Sequence, residues 1–98
     1  MDIKIIEIRI QENDNKALRA FCDIELNGII VRDLRVIKDP GKRDWIASPQ
    51  ASWKDKTTGT IKYKTLITFP DEMKGELDLL ILSAYHREME KRNGRNSD

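Results

Sequence analysis

Few side chains in this chain of 98 residues have the types and spacing that catalysis or metal binding requires. The single cysteine, Cys22, and the single histidine, His86, cannot make a zinc site of ordinary composition. Cys22 lies among apolar residues of a predicted strand, which favours a small core side chain over a reactive thiol. No nucleophile stands at a recognisable spacing from His86, which favours a solvated residue or a helix C-terminal charge over a catalytic base. We therefore expect no enzymatic activity, no metal, no cofactor and no small-molecule substrate.

Two further polar motifs also have simpler interpretations. The segment DPGKR at residues 39–43 lacks the G-x-x-x-x-G-K-[ST] spacing that builds a phosphate cradle, so a plain turn is predicted. Glu72 and Glu76 stand four residues apart at the start of a predicted helix. Carboxylates there usually favour the positive end of the helix dipole.

The segment WKDKTTGTIKYK at residues 53–64 places four lysines and two aromatic rings around a Thr-Thr-Gly turn. Strand alternation puts Lys62 and Lys64 on one face, and Lys54 and Lys56 precede the turn. Trp53 and Tyr63 can stack nucleic-acid bases, at about 1–3 kcal/mol per base. The alternative is that Tyr63 belongs to the core and that the lysines protect an edge strand from aggregation. The lysines are Lys54, Lys56, Lys62 and Lys64.

Alternation of apolar and polar residues predicts three strands before this segment. Residues 3–10 are rich in β-branched residues and alternate over their second half, with Ile6, Ile8 and Ile10 expected on one face, and residues 17–26 alternate as well. Asn27-Gly28 favours a type I′ hairpin turn, since both positions tolerate a positive φ. A third strand follows, and the three are predicted to form an antiparallel meander.

The second half of the chain changes character. A short strand over residues 44–47 is expected to stop at Pro49, followed by a polar loop over 50–59 and a strand over 60–69. Pro70-Asp-Glu then opens a helix. Apolar residues between 77 and 89 cover more of this helix than one sheet can bury, which predicts a homodimer that buries part of the helix or extends the sheet. Strands followed by a helix indicate an α+β fold with an antiparallel sheet and a C-terminal helix.

Length and charge limit the classes of function. The chain is long enough for one domain, predicted over residues 1–92 with a disordered tail at 93–98. The net charge is only +1, but residues 32–64 carry nine basic and four acidic residues. A single cysteine and the absence of a signal peptide or a long apolar run predict a cytoplasmic protein that does not bind membrane.

With these strands placed, the segment KALRAFCDIELNGIIVRDLRVI at residues 16–37 resembles the SpoVG family of septation and sporulation regulators. Its most specific part is VRDLRVI at residues 31–37. The order of the surrounding features is similar as well, over residues 3–86. These features are the Ile-Arg-Ile10 strand, Pro49, Gly59 and the Ala84-Tyr85 pair on the helix.

The resemblance implies a small α+β homodimer of the bacterial cytoplasm that binds DNA or RNA site-selectively, regulates septation, sporulation or virulence programmes and has no catalytic activity. The family commonly has a basic pair just after the proline, whereas this chain reads Pro49-Gln-Ala-Ser52. A relocated phosphate-binding surface on the following lysines is therefore our hypothesis. The alternative is a protein-interaction module without nucleic-acid binding. The predicted nucleic-acid-binding residues are Lys54, Lys56, Lys62, Lys64, Trp53, Arg87, Lys91 and Arg92.

One cross-strand pair is also predicted from the motif. Arg35 lies on the third strand, and Asp23 and Glu25 lie on the second. We expect Arg35 to pair with one of these carboxylates and to have a structural role.

Overall fold

A computed structural model describes residues 2–12 and 16–95, with only the backbone described at 94 and 95. Six strands precede one helix in the described chain. Their bounds are β1 Ile3–Ile10, β2 Leu18–Leu26, β3 Ile29–Ile37, β4 Trp45–Ala47, β5 Gln50–Lys54, β6 Ile61–Thr65 and α1 Asp71–Arg95. The α+β fold with an antiparallel meander and a C-terminal helix is confirmed.

The first four strands form one antiparallel sheet in the order β1-β2-β3-β4. Asn27 and Gly28 join β2 to β3 with φ values of 49° and 86°, as a type I′ turn requires. The Asn27 side chain also accepts a hydrogen bond from the Asp2 amide at 3.0 Å. The turn residues therefore close the β2–β3 hairpin, and the Asp2 hydrogen bond joins that turn to the start of β1.

The core lies between one face of this sheet and α1. Ala20, Cys22 and Ile24 on β2 are fully buried, as their alternation predicts, and they pack in one cluster with Leu77 and Ile81 of the helix. Burial raises the pKa of the Cys22 thiol to about 12. Cys22 is therefore the inert core side chain that the sequence predicts.

The helix begins after Pro70, whose carbonyl accepts the first helical hydrogen bond from the Lys74 amide at 2.8 Å. The Lys74 ammonium binds the Ile46 carbonyl of β4 at 2.9 Å and the Asp78 carboxylate at 2.6 Å. Farther along the helix, His86 Nε2 lies 3.0 Å from the Asp44 carboxylate. These contacts hold α1 against β4 and the residue that precedes it.

The second half of the chain departs from the predicted boundaries. Residues 50–54 form β5, where a polar loop was expected, and β6 is shorter than the predicted strand over 60–69. These two strands pair only with each other, as a separate sheet. The helix includes residues 93–95 of the predicted tail, and residues 96–98 lie outside the described chain.

The prediction that Ile6 shares a face with Ile8 and Ile10 is wrong. The register of β1 against β2 shifts between Ile5 and Glu7, which leaves Ile6 as the extra residue of a β-bulge. Ile6 is consequently half exposed, while Ile8 and Ile10 pack against the core as expected.

No helix within the described residues is long and apolar enough to span a membrane.

Candidate nucleic-acid interface

The β5–β6 hairpin, residues 50–65, projects from the sheet and helix, and we call it the arm. All five residues of β6 are exposed, and Ala51 is the only one of the five β5 residues that is not. The molecule measures 55 × 35 × 22 Å, and its radius of gyration of 15.3 Å exceeds the roughly 13 Å typical of a compact chain of this length. The arm therefore presents its side chains to solvent on both faces.

Asp55 organises the turn of the arm. Its carboxylate accepts hydrogen bonds from the Thr57 and Thr58 amides, at 2.8 and 3.3 Å. Gly59 follows with a φ of 75°, a conformation that favours glycine. The sequence predicts this turn from Thr58-Gly59, and Asp55 adds the local hydrogen bonds that hold it.

The strand register divides the predicted binding residues between two faces. Trp53 stands opposite Lys62, and Ala51 stands opposite Lys64, so these four residues form what we call the Trp53 face. The other side is the Tyr63 face. Its residues are Gln50, Ser52, Lys54, Ile61, Tyr63 and Thr65.

Trp53 is 48% exposed and Tyr63 is 65% exposed, on opposite sides of the arm. The interpretation of Tyr63 as a core residue is therefore wrong. Alternation does place Lys62 and Lys64 on one face, and the structure adds Trp53 beside them. Lys54 lies on the other face, and Lys56 lies in the turn region.

The arm is basic, with four lysines and one acid, Asp55. Lys62 forms an ion pair with Asp55 at 2.8 Å. The lysine is the largest cause of a lowered Asp55 pKa, followed by the turn amides. Lys62 is still half exposed, so the pair is solvated and contributes little energy. Separating Lys62 from Asp55 therefore costs little free energy.

The predicted residues of the helix end lie elsewhere. Arg87 and Lys91 line a groove of about 340 Å³ between α1 and the edge of β1, together with Glu7 and Glu88. Arg92 forms an ion pair with Glu12. Acids accompany each of these cations, so the groove is not an unopposed basic surface.

The predicted residues of the arm and of the helix end belong to different elements of the fold. The arm precedes the first turn of α1, and Arg87 lies sixteen residues along it. That separation is roughly 24 Å of helix axis. The arm is the stronger candidate, because its four lysines accompany a single acid, whereas acids accompany each cation of the helix end.

The sequence did not predict a charged cluster on the face of the main sheet that lies opposite α1. Asp23 is 2% exposed and binds Arg9 with both carboxylate oxygens, at 2.9 and 3.1 Å. It also accepts hydrogen bonds from Arg32 at 3.2 Å and from the Asp33 amide at 3.0 Å. The Arg9 hydrogen bond is the main reason that the Asp23 pKa lies below its ordinary value.

The predicted pairing of Arg35 with Asp23 or Glu25 is wrong. The register sets Arg9, Phe21 and Arg35 in one row, and each guanidinium carbon lies 5.9 Å from the centre of the Phe21 ring. A β3 bulge puts Arg32 and Asp33 opposite Asp23, with Asp33 at a φ of 62°. The bulge directs the Asp33 amide to the carboxylate that was expected to receive Arg35.

Comparisons with family models, curated proteins and solved structures gave no match for this chain. The likeness to the SpoVG family accordingly rests on the motif at residues 16–37 and on the order of the elements around it.

Proposed function

We propose that this chain is a non-catalytic, dimeric nucleic-acid-binding regulator of the SpoVG kind, acting in the cytoplasm. The observation that carries the proposal is the Trp53 face, where an exposed indole lies beside Lys62 and Lys64. Lysines neutralise phosphates, and an exposed aromatic ring stacks on bases. The arm brings both groups to one surface that the other described residues leave uncovered.

The expected binding is sequence-tolerant and favours single strands. Phosphate contacts position a protein without reading bases, and bases stack on an aromatic ring most readily when they are unpaired. The arm offers no rigid fork of donors for a base edge, since its cations are all lysines.

The test is a salt titration of binding to single-stranded and duplex pools. Each lysine–phosphate contact contributes a slope of about −0.7 on single strands and −0.9 on duplexes in a plot of log K against log salt. The double variant Lys62→Gln/Lys64→Gln should weaken binding to all sequences and flatten the slope by roughly two such units per chain engaged. Trp53→Ala should lower affinity for single strands and leave duplex binding nearly unchanged.

The matched control is Lys4→Gln/Lys38→Gln, which removes the same charge from exposed positions outside the arm. An equal loss in this control would assign the effect to net charge. Unchanged affinity and slope in the arm variant would exclude the Trp53 face as the binding surface.

The second candidate is a protein-interaction module without nucleic-acid binding. The exposed apolar side chains favour it, because Leu79 on α1 and Ile61 on the arm are 71% and 55% exposed. No salt-sensitive binding to either nucleic-acid pool would leave this candidate as the function.

A further inference from the structure

The solvent side of α1 carries a mixed apolar and acidic stripe, which we call the outer stripe. Residues at spacings of three, four and seven share one side of a helix. Leu79 and Leu80 are 71% and 38% exposed, in contrast to Leu77 and Ile81, which are buried. The outer stripe consists of Glu72, Glu76, Leu79, Leu80 and Ser83, all exposed.

The Tyr63 face of the arm is a second uncovered apolar surface. Ile61 is 55% exposed and Tyr63 is 65% exposed, with Lys54 opposite Ile61. A two-stranded hairpin alone is marginally stable in water, and stability normally comes from packing on another element. The described residues of a single chain give the arm no such cover, because every residue of β6 is exposed.

Charge makes the two surfaces complementary. The Tyr63 face carries one lysine, Lys54, and no acid, whereas the outer stripe carries two acids, Glu72 and Glu76, and no base. On the two surfaces themselves, Lys54 lies beside Ile61, and Glu76 lies one turn before Leu79 and Leu80. Opposite charges around apolar centres orient two such surfaces and favour their association.

We propose that the Tyr63 face of one copy docks on the outer stripe of a second copy, reciprocally about a two-fold axis. Ile61 and Tyr63 then pack on the partner's Leu79 and Leu80, and Lys54 faces the partner's Glu76. One chain supplies both halves of the contact, and a two-fold axis uses each half once per copy. The occupant of each surface is therefore another copy of this chain.

The docked arm keeps its Trp53 face turned away from the partner. This geometry rests on the homodimer of the proposed function, and it is independent of nucleic-acid binding. It deepens that function by giving each face of the arm one role. The Tyr63 face holds the partner, and the Trp53 face remains available to phosphates and bases.

Disulfide trapping between two differently tagged chains tests the contact directly. One chain carries Tyr63→Cys, the other carries Leu79→Cys, and they are mixed under mild oxidation. The tags separate the mixed covalent dimer from pairs of identical chains. Cys22 is fully buried and does not compete. We expect the mixed dimer as the main product.

The matched control replaces Tyr63→Cys with Trp53→Cys, an exposed position on the other face of the same arm. This pair should trap at least tenfold less mixed dimer. Equal trapping from both faces, or none from Tyr63→Cys, would overturn the docking geometry. Circular dichroism confirms that each variant is folded.

A charge exchange tests the orientation. Glu76→Lys should raise the dimer dissociation constant at least tenfold in sedimentation experiments, and adding Lys54→Glu should restore it to within about threefold. Adding Lys62→Glu instead should restore nothing, because Lys62 lies on the opposite face. Restoration by Lys62→Glu would overturn the assignment of faces.

The failures of the two proposals are distinguishable. A monomer at tens of micromolar would overturn both the homodimer and the docked arm, whatever the nucleic-acid result. Trapping that persists in Lys62→Gln/Lys64→Gln supports the docked arm even if nucleic-acid binding fails.

Discussion

The main sheet and the arm are built from the same kind of alternating antiparallel strand, yet they bury their side chains very differently. Ile24 on β2 is fully buried beneath α1, whereas Ile61 on β6 is 55% exposed. This difference in burial arises because α1 packs on the main sheet, whereas β5 and β6, among the described residues, pair only with each other. Alternation thus indicates a strand, but it does not indicate what covers the apolar face.

The charged residues of the two regions differ in the same way. Asp23 is buried and held by two arginines and a backbone amide, so its charge serves the structure. Asp55 of the arm pairs with a half-exposed Lys62 in solvent. A buried network resists exchange of partners, while a solvated pair opens at small cost. Ligand binding is therefore expected on the arm.

The largest expected effect is a core truncation. Ile24→Ala removes a fully buried side chain and leaves a cavity, which should lower the free energy of unfolding by about 2–5 kcal/mol. The same truncation on the arm, Ile61→Ala, should change it by no more than about 0.5 kcal/mol at protein concentrations low enough to dissociate the proposed homodimer. Urea denaturation of both variants measures the difference. Equal losses would show that the arm packs on its own chain.

The next effect concerns the Asp23 network. Asp23→Ala leaves Arg9, Arg32 and the Asp33 amide without their carboxylate, which should cost about 2–3 kcal/mol. This loss of stability should be smaller than the loss from breaking a fully buried ion pair, because one third of the Arg9 side chain is exposed and water solvates it. A loss below 0.5 kcal/mol, the range of a typical surface substitution, would contradict a structural role for the network.

The same network predicts a dependence on pH. The folded-state pKa of Asp23 is lowered, so its contribution to the free energy of unfolding is fully present above the unfolded pKa of about 3.9. The contribution is lost as the pH falls through the folded pKa. The stability difference between the native chain and Asp23→Ala should therefore be constant from pH 5 to 7 and shrink below about pH 4. A difference that grows on acidification would contradict the lowered pKa.

The smallest effect is expected at Arg35. Its guanidinium lies over Phe21 at the sheet surface, a contact worth about 0.5–1 kcal/mol at exposed sites. Arg35→Ala should lower the free energy of unfolding by that amount and leave nucleic-acid affinity unchanged. Arg35→Lys is the control, since it keeps the charge and loses the planar group. An affinity loss without a stability loss would extend the binding surface from the arm to the main sheet.

Features that depend on neighbouring residues alone were predictable from the sequence. Asn27-Gly28 fixed the turn through its positive φ values, and Pro70 with the following acids fixed the start of α1. The alternation of β2 identified Cys22 as a core side chain. Backbone preferences and side-chain periodicity decide these features within a few residues.

Features that depend on strand pairing were decided only by the tertiary structure. A bulge exposed Ile6, and another turned the Asp33 amide to Asp23, which took Arg9 as its main partner instead of Arg35. Pairing of β5 with β6 also placed Trp53 and Tyr63 on opposite faces of an uncovered arm. A one-residue change in pairing moves side chains to the other face, and residues distant in the chain set that register.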